Sequence, residues 1–208
     1  MSRPRSLRPE ATMTDVHEIE RSPNAAYWVG VFSVTAIVMT AVLWALGRLW
    51  WCKLGDGAIY VNQAWNSSHT SQHFLDPYTF THILHGVLFF WIAGLLLSKF
   101  GTFWQFTAAI VAEAGWEVLE NTNFIIEKYR ENTASLDYFG DSIANSFGDL
   151  AACAVGFLVA MKFGMWRSLV FFLLVEIFLL IWIRDSLLLN ILMLVYPLDG
   201  VKSWQMSV

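Results

Sequence analysis

FWQFTAAIVAEAGWEVLENTNFII, residues 103–126, is apolar enough to cross a bilayer and yet carries Glu113, Glu117 and Glu120. Spacings of four and three put all three acids on one face of an α-helix, within an arc of roughly 60°. An acid at the centre of a membrane helix costs roughly 2.5–3.5 kcal/mol on insertion scales. A chain that carries three of them on one face has a use for them.

The chain has 208 residues, of which 56% are hydrophobic, 16% aromatic and only 14% charged. A soluble domain has about 25% charged residues, so an integral membrane protein is expected. The fold class is an all-α polytopic helical bundle, with residues 1–26 as a polar cytoplasmic tail and 27–204 as one membrane domain. A net charge of −4 gives no argument for nucleic acid. Cys52 and Cys153 support neither a disulfide framework nor a thiolate metal site. The tail is too long and too acidic for a signal-peptide n-region, and no small-residue cleavage site follows the first apolar run.

Five stretches reach the length of about 20 apolar residues that a crossing needs: 27–50, 78–99, 103–124, 137–162 and 166–184. A sixth, 186–198, is short and is expected to re-enter the bilayer or to pack beside the bundle. Trp28, Trp50, Trp51, Trp104, Trp166 and Trp182 lie near segment ends, as interfacial anchors do. With the N-terminus inside, the inner side holds Arg3, Arg5, Arg8, Arg21, Lys99, Lys162 and Arg167. The outer side holds Arg48, Lys53, Lys128, Arg130 and Arg184. That weak excess favours a cytoplasmic N-terminus and puts loops 51–77 and 125–136 outside.

Successive segments run in opposite directions, so depth can be counted from their outer ends at about 1.5 Å per residue. His82 and Glu120 then lie roughly 6 Å in, His85 and Glu117 roughly 10 Å, and Glu113 roughly 16 Å. Asp141, Asn145 and Asp149 follow on the fourth segment at roughly 6, 12 and 18 Å. His82 and His85 share a helix face, as do Asp141, Asn145 and Asp149, and Gly148 beside them permits close helix approach. The expected pocket is lined by His82, His85, Glu117, Glu120, Asp141 and Asn145, with Glu113 and Asp149 as its floor. His73 is a lid contact, and Arg184 closes the outer end of the fifth segment.

Three readings follow. His82, His85 and Glu117 hold a divalent metal such as zinc or part of a di-metal centre, as facing bundle helices do elsewhere. Alternatively the pocket is metal-free, and a glutamate and a histidine act as base and acid or bind a polar ligand. In the third reading the polar groups only fix helix packing, with Arg184 paired to Asp185 or Glu120. His17 and His69 read as solvated, and Glu176 as a hydrogen-bonding group between helices.

The runs NSSHTSQHFLDPYTFTHILHG (66–86), EAGWEVLENTNFIIEKYRE (113–131), LDYFGDSIANSFGDL (136–150) and IRDSLLLNILMLVYPL (183–198) resemble an uncharacterised family of bacterial inner-membrane proteins. The resemblance covers roughly residues 40–204 and implies a multi-pass protein of the inner membrane. That family has an acidic residue where this chain has His69, and often a second cysteine beside the position of Cys52. The resemblance thus weakens a ligand role for His69 and a paired role for Cys52.

A looser likeness is to VanZ-like membrane proteins, through His82 or His85, Glu113 or Glu117, and Asp141, Asn145 and Gly148. It implies a pocket that handles a cell-envelope molecule. The functional expectation is a hydrolase or transferase acting on a lipid-linked or envelope substrate, with Glu117, Glu120 and Asp141 as the catalytic acids. The competing class is a non-catalytic ligand-binding or accessory subunit of a membrane complex. Expected partners are membrane lipids, such a lipid-linked substrate or a partner membrane protein, and no nucleic acid.

Overall fold

The computed structural model describes residues 24–62 and 67–207. The tail expected over residues 1–26 therefore lies, up to residue 23, outside the described residues, and His17 with it. Seven helices follow one another: α1 (Ala25–Ala45), α2 (Thr79–Leu96), α3 (Thr102–Glu120), α4 (Asn123–Asn132), α5 (Ile143–Ile183), α6 (Leu187–Val195) and α7 (Asp199–Met206). No strand occurs among the described residues, where one isolated bridge joins Tyr60 to Leu75.

Three helices, α1, α2 and α5, are long and apolar enough to cross a membrane. Large apolar side chains on them face outward, among them Ile37, Leu95 and Ile181, the surface a bilayer would cover. α3 is as long, at 19 residues, but its glutamates lower its apolar character.

Local chemistry sets the helix starts. The sequence Asp76-Pro77-Tyr78-Thr79 opens α2. The Asp76 carboxylate accepts from the N–H groups of Tyr78 (2.8 Å) and Thr79 (3.3 Å), while its own N–H donates to the Thr79 hydroxyl at 3.0 Å. This reciprocal cap satisfies donors that the first turn leaves free, and Pro77 has no N–H to lose there. At the starts of α5 and α6 the Ser142 and Ser186 hydroxyls accept from the N–H groups of Asn145 and Leu189.

α5 runs for 41 residues but breaks at Gly164, whose φ of 73° and ψ of 176° are not helical. The contacts of α2 show what the break does. Going up α2, Gly86 meets Cys153 and Phe90 meets Phe157, so the first arm runs parallel to α2. Trp91 then meets Ser168 and Phe172, while Phe80 meets Phe178 and Trp182, so the second arm runs antiparallel. The chain folds back at Gly164, and its two arms correspond to the stretches 137–162 and 166–184. A Cβ on Gly86 would lie 2.0 Å from the Cys153 carbonyl oxygen, and one on Gly156 1.9 Å from that of Ile83. Backbones this close are the contact that small residues permit between membrane helices.

The segment 186–198 forms a short helix packed against the bundle. Its helix α6 has nine residues. Leu187 packs with Leu84, Val87, Ala160 and Phe172 in the bundle interior. The N–H groups of Leu187 and Leu188 donate to Glu176 at 2.9 and 3.3 Å. Glu176 lies seven residues, roughly 10 Å, before the end of α5. α6 therefore starts inside the bundle and returns outward, with its N-terminus held by an acid, the charge a helix N-terminus favours. Glu176 thus bridges two helices, as expected.

Candidate functional site

Helices α2, α3 and the first arm of α5 each bring acid or imidazole side chains to one buried centre. The His82 Nδ1 lies 2.6 Å from Glu113 Oε1, and the His85 Nδ1 lies 3.0 Å from Glu113 Oε2. An ionised carboxylate only accepts, so both rings donate from Nδ1. In a neutral ring held this way the free lone pair is on Nε2. His82 also lies 3.3 Å from Glu117 Oε1 through Nδ1, and 3.8 Å from Asp149 Oδ2 through Nε2. Glu113 and Glu117 are fully buried. Neither oxygen of Glu117, nor Oδ1 of Asp149, has a hydrogen-bond partner among the described residues.

The expected layers are shifted. Glu113 was placed roughly 6 Å below His85, as part of the floor, but it binds both histidines. The reason lies in the helix ends. α3 stops at Glu120, one turn before residue 124, which lifts Glu113 to roughly 10 Å from its end. α5 starts at Ile143 rather than 137, which lifts Asp149 to roughly 9 Å. Residues before Ile143 are held in turns: the Arg130 guanidinium donates to the Tyr138 carbonyl. The Tyr138 hydroxyl donates to Asp141 at 2.9 Å.

Three overlapping trios could each converge on a cation: His82, His85 and Glu113; His82, Glu117 and Asp149; Glu117, Glu120 and Asp141. His82 and Glu117 join them into one row. Asp141 has less freedom than its neighbours, because Tyr138 holds one oxygen and the Asn121 amide the other at 2.8 Å. A cavity of about 60 Å³ opens beside the row, room for on the order of four waters or one hydrated cation. His82, His85, Glu120, Asp141 and Asp149 line it, together with Thr70, Ser71 and Asn190.

Other expected residues stand elsewhere. His73 is fully buried in the loop between α1 and α2, its Nδ1 2.7 Å from the Ala58 carbonyl oxygen. Asn145 ties that loop to α5, its amide donating to the His73 carbonyl at 2.8 Å. Gly148 admits the Phe74 carbonyl of the same loop, and not a helix. Arg184 pairs with neither Asp185 nor Glu120. Its guanidinium donates to the Trp204 carbonyl and the Ser207 hydroxyl, at 3.0 and 2.8 Å. Asp185 accepts instead from the Tyr78 hydroxyl at 3.1 Å.

Sequence reasoning missed Tyr78, Trp116, Tyr129 and Tyr138, which line the cavity. Their signal was their place one or two turns from the acids, with hydroxyls or an indole to offer. Trp116 also packs edge-on to His85, with ring centroids 6.2 Å apart.

Residues 43–207 match the family described as protein of unknown function (DUF2585). A UPF0314 protein of Brucella anthropi is 41% identical over 186 residues, covering 88% of this chain and 94% of its own. One of Rhizobium meliloti is 40% identical over 191 residues (91% and 95%), and one of Sinorhizobium fredii 42% over 180 residues (86% and 91%). None of these matches carries the VanZ-like likeness, and no solved structure matches the chain.

Proposed function

This chain belongs to the DUF2585 family of proteins of unknown function, and we propose that it is a multi-pass membrane protein that binds a divalent cation between α2, α3 and α5. The carrying observation is Glu113 bound by two histidine Nδ1 atoms beside a buried Glu117 with no hydrogen-bond partner among the described residues. Metal-ligating histidines donate their second nitrogen to a carboxylate in this way. In this reading Glu113 orients the rings, His82 and His85 ligate through Nε2, and Glu117 and Asp149 supply oxygens. The cation offsets buried negative charge that would otherwise be costly.

The chemistry this supports is hydrolysis or group transfer on a lipid-linked or envelope substrate. The cation would polarise the scissile bond and lower the pKa of a bound water. Glu120 lines the cavity and is the residue we assign as general base, with Asp141 positioning it. Five crossings, with the Gly164 reversal separating the last two, and a cytoplasmic N-terminus make the cavity face outward from a bacterial inner membrane.

The size of the cavity, about 60 Å³, favours a second reading. It fits an ion and not a lipid, as in a non-catalytic subunit whose ligand is the cation itself. Elemental analysis of Cys52→Ser protein purified without chelator tests the shared premise apart from any ion held in the loop before α2: one or two divalent ions per chain are expected, and near-zero content would overturn it. Turnover of lipid-linked pyrophosphates that is lost in Glu120→Gln with the metal retained would favour the enzyme.

A further inference from the structure

A second group of metal-binding side chains lies in the loop between α1 and α2, away from the cavity row. Cys52, Asp56, His69 and His73 can each bring one donor atom within 4.8 Å of the others. His69 Nδ1 is at the centre. It lies 3.1 Å from Asp56 Oδ2, 3.2 Å from His73 Nε2 and 3.7 Å from Cys52 Sγ. One ring nitrogen carries at most one proton and cannot serve three such neighbours at once. His69 keeps 31% of its side chain exposed, and its ring stacks on that of His73 at a centroid distance of 5.4 Å.

The surroundings prepare each donor. The Ala58 carbonyl oxygen lies 2.7 Å from His73 Nδ1 and accepts its proton. That leaves His73 Nε2 a lone pair facing the group, the second-nitrogen arrangement of a ligating histidine. The Ala58 N–H donates to Asp56 Oδ1 at 3.2 Å. The other oxygen, Oδ2, is buried and has no hydrogen-bond partner among the described residues. Cys52 and His73 are both buried. Zinc held by nitrogen at about 2.0–2.1 Å and sulfur at about 2.3 Å keeps its donors roughly 3.3–3.7 Å apart. The three separations about His69 Nδ1 bracket that edge.

We infer that Cys52, Asp56, His69 and His73 form a tetrahedral site for a zinc-class divalent cation, bound through Sγ, Oδ2, Nδ1 and Nε2. The site is closed, with four protein ligands and no open position, so its role is structural. It staples the residues just after α1 to those just before α2. Thr70 and Ser71, which line the cavity, lie between its two histidines. The Ser71 carbonyl accepts from the Ser142 N–H at 2.9 Å, and the His73 carbonyl from Asn145 at 2.8 Å. Metal in this loop therefore holds the cavity mouth against the start of α5.

Cobalt(II) added to chelator-treated full-length protein in detergent tests the site, because a thiolate ligand gives a charge-transfer band in the near ultraviolet. The other free cysteine, Cys153, is replaced in a Cys153→Ser background. The band is expected there and is expected to bleach on addition of zinc. Cys52→Ser should abolish it, and His69→Ala should weaken cobalt binding at least tenfold while the protein still elutes as one monodisperse peak. Glu113→Gln should leave the band unchanged, which separates this site from the cavity row. Should Cys153→Ser not fold, wild type and Cys52→Ser are compared directly. Absence of the band in folded protein, or its survival in Cys52→Ser, would overturn the assignment.

Discussion

His82 of α2 and Glu113 of α3 meet at 2.6 Å inside the bundle, and His85 reaches the same carboxylate at 3.0 Å. One acid thereby sets the ring orientation of two histidines on another helix. The pairing compensates the charge of a fully buried carboxylate, and both histidines line the cavity beside it.

Glu113→Gln removes the charge and replaces one of the two acceptor oxygens by an NH2 group, which cannot accept from a ring N–H. Loss of a carboxylate that orients metal-binding histidines costs about 10–100-fold in metal affinity. Competition with a chromophoric chelator should show that loss, while Glu113→Gln protein keeps the wild-type circular dichroism. Unchanged affinity would remove Glu113 from the centre.

Gly156→Ala should destabilise the bundle. Its new Cβ would stand 1.9 Å from the Ile83 carbonyl oxygen, a backbone atom that cannot swing away. Forcing α2 and α5 apart costs typically 1–3 kcal/mol, read as a lower midpoint of thermal unfolding in detergent. Gly94→Ala, with open space around the residue, is the matched control and should not lower it.

Glu176→Ala should free the N-terminus of α6. Two backbone N–H groups, those of Leu187 and Leu188, would lose their acceptor. An unsatisfied buried donor costs about 1–3 kcal/mol. Hydrogen exchange should quicken at residues 187–190 and stay unchanged in α1. Uniform exchange in both proteins would mean that α6 is held by packing alone.

Stability should fall as pH rises toward neutrality because of Asp76. Burial pushes its carboxyl up to about 7, aided by the nearby Asp141 charge and opposed by the N–H bonds it accepts from Tyr78, Ser71 and Thr79. The folded state thus binds a proton that the unfolded chain releases near its ordinary value of 3.8. The contribution is fully present below about pH 4 and is lost as pH climbs through about 7. Thermal unfolding across that range should show a falling midpoint, and Asp76→Asn should flatten the slope. A wild-type midpoint that rises with pH would contradict the sign.

By itself the sequence determined the helical class and the apolar stretches, since these depend on composition and on runs of about 20 residues. It also placed His82, His85, Glu113, Glu117, Glu120, Asp141 and Asn145 near one end of the bundle, because alternating segment direction and helical spacing are local rules. The tertiary structure alone decided which of them touch. Pairing depends on where each helix stops, and α3 ends at Glu120 and α5 begins at Ile143 through caps and turn contacts that a hydropathy count does not resolve. One turn of error moves a side chain by about 5.4 Å, more than the reach of a hydrogen bond. That is why depth counted along the sequence puts Glu113 at the floor, while the fold makes it the partner of both histidines. The loop group of Cys52, Asp56, His69 and His73 was hidden for a related reason. Its four residues span a segment without a helical period, so only the folded chain brings them together.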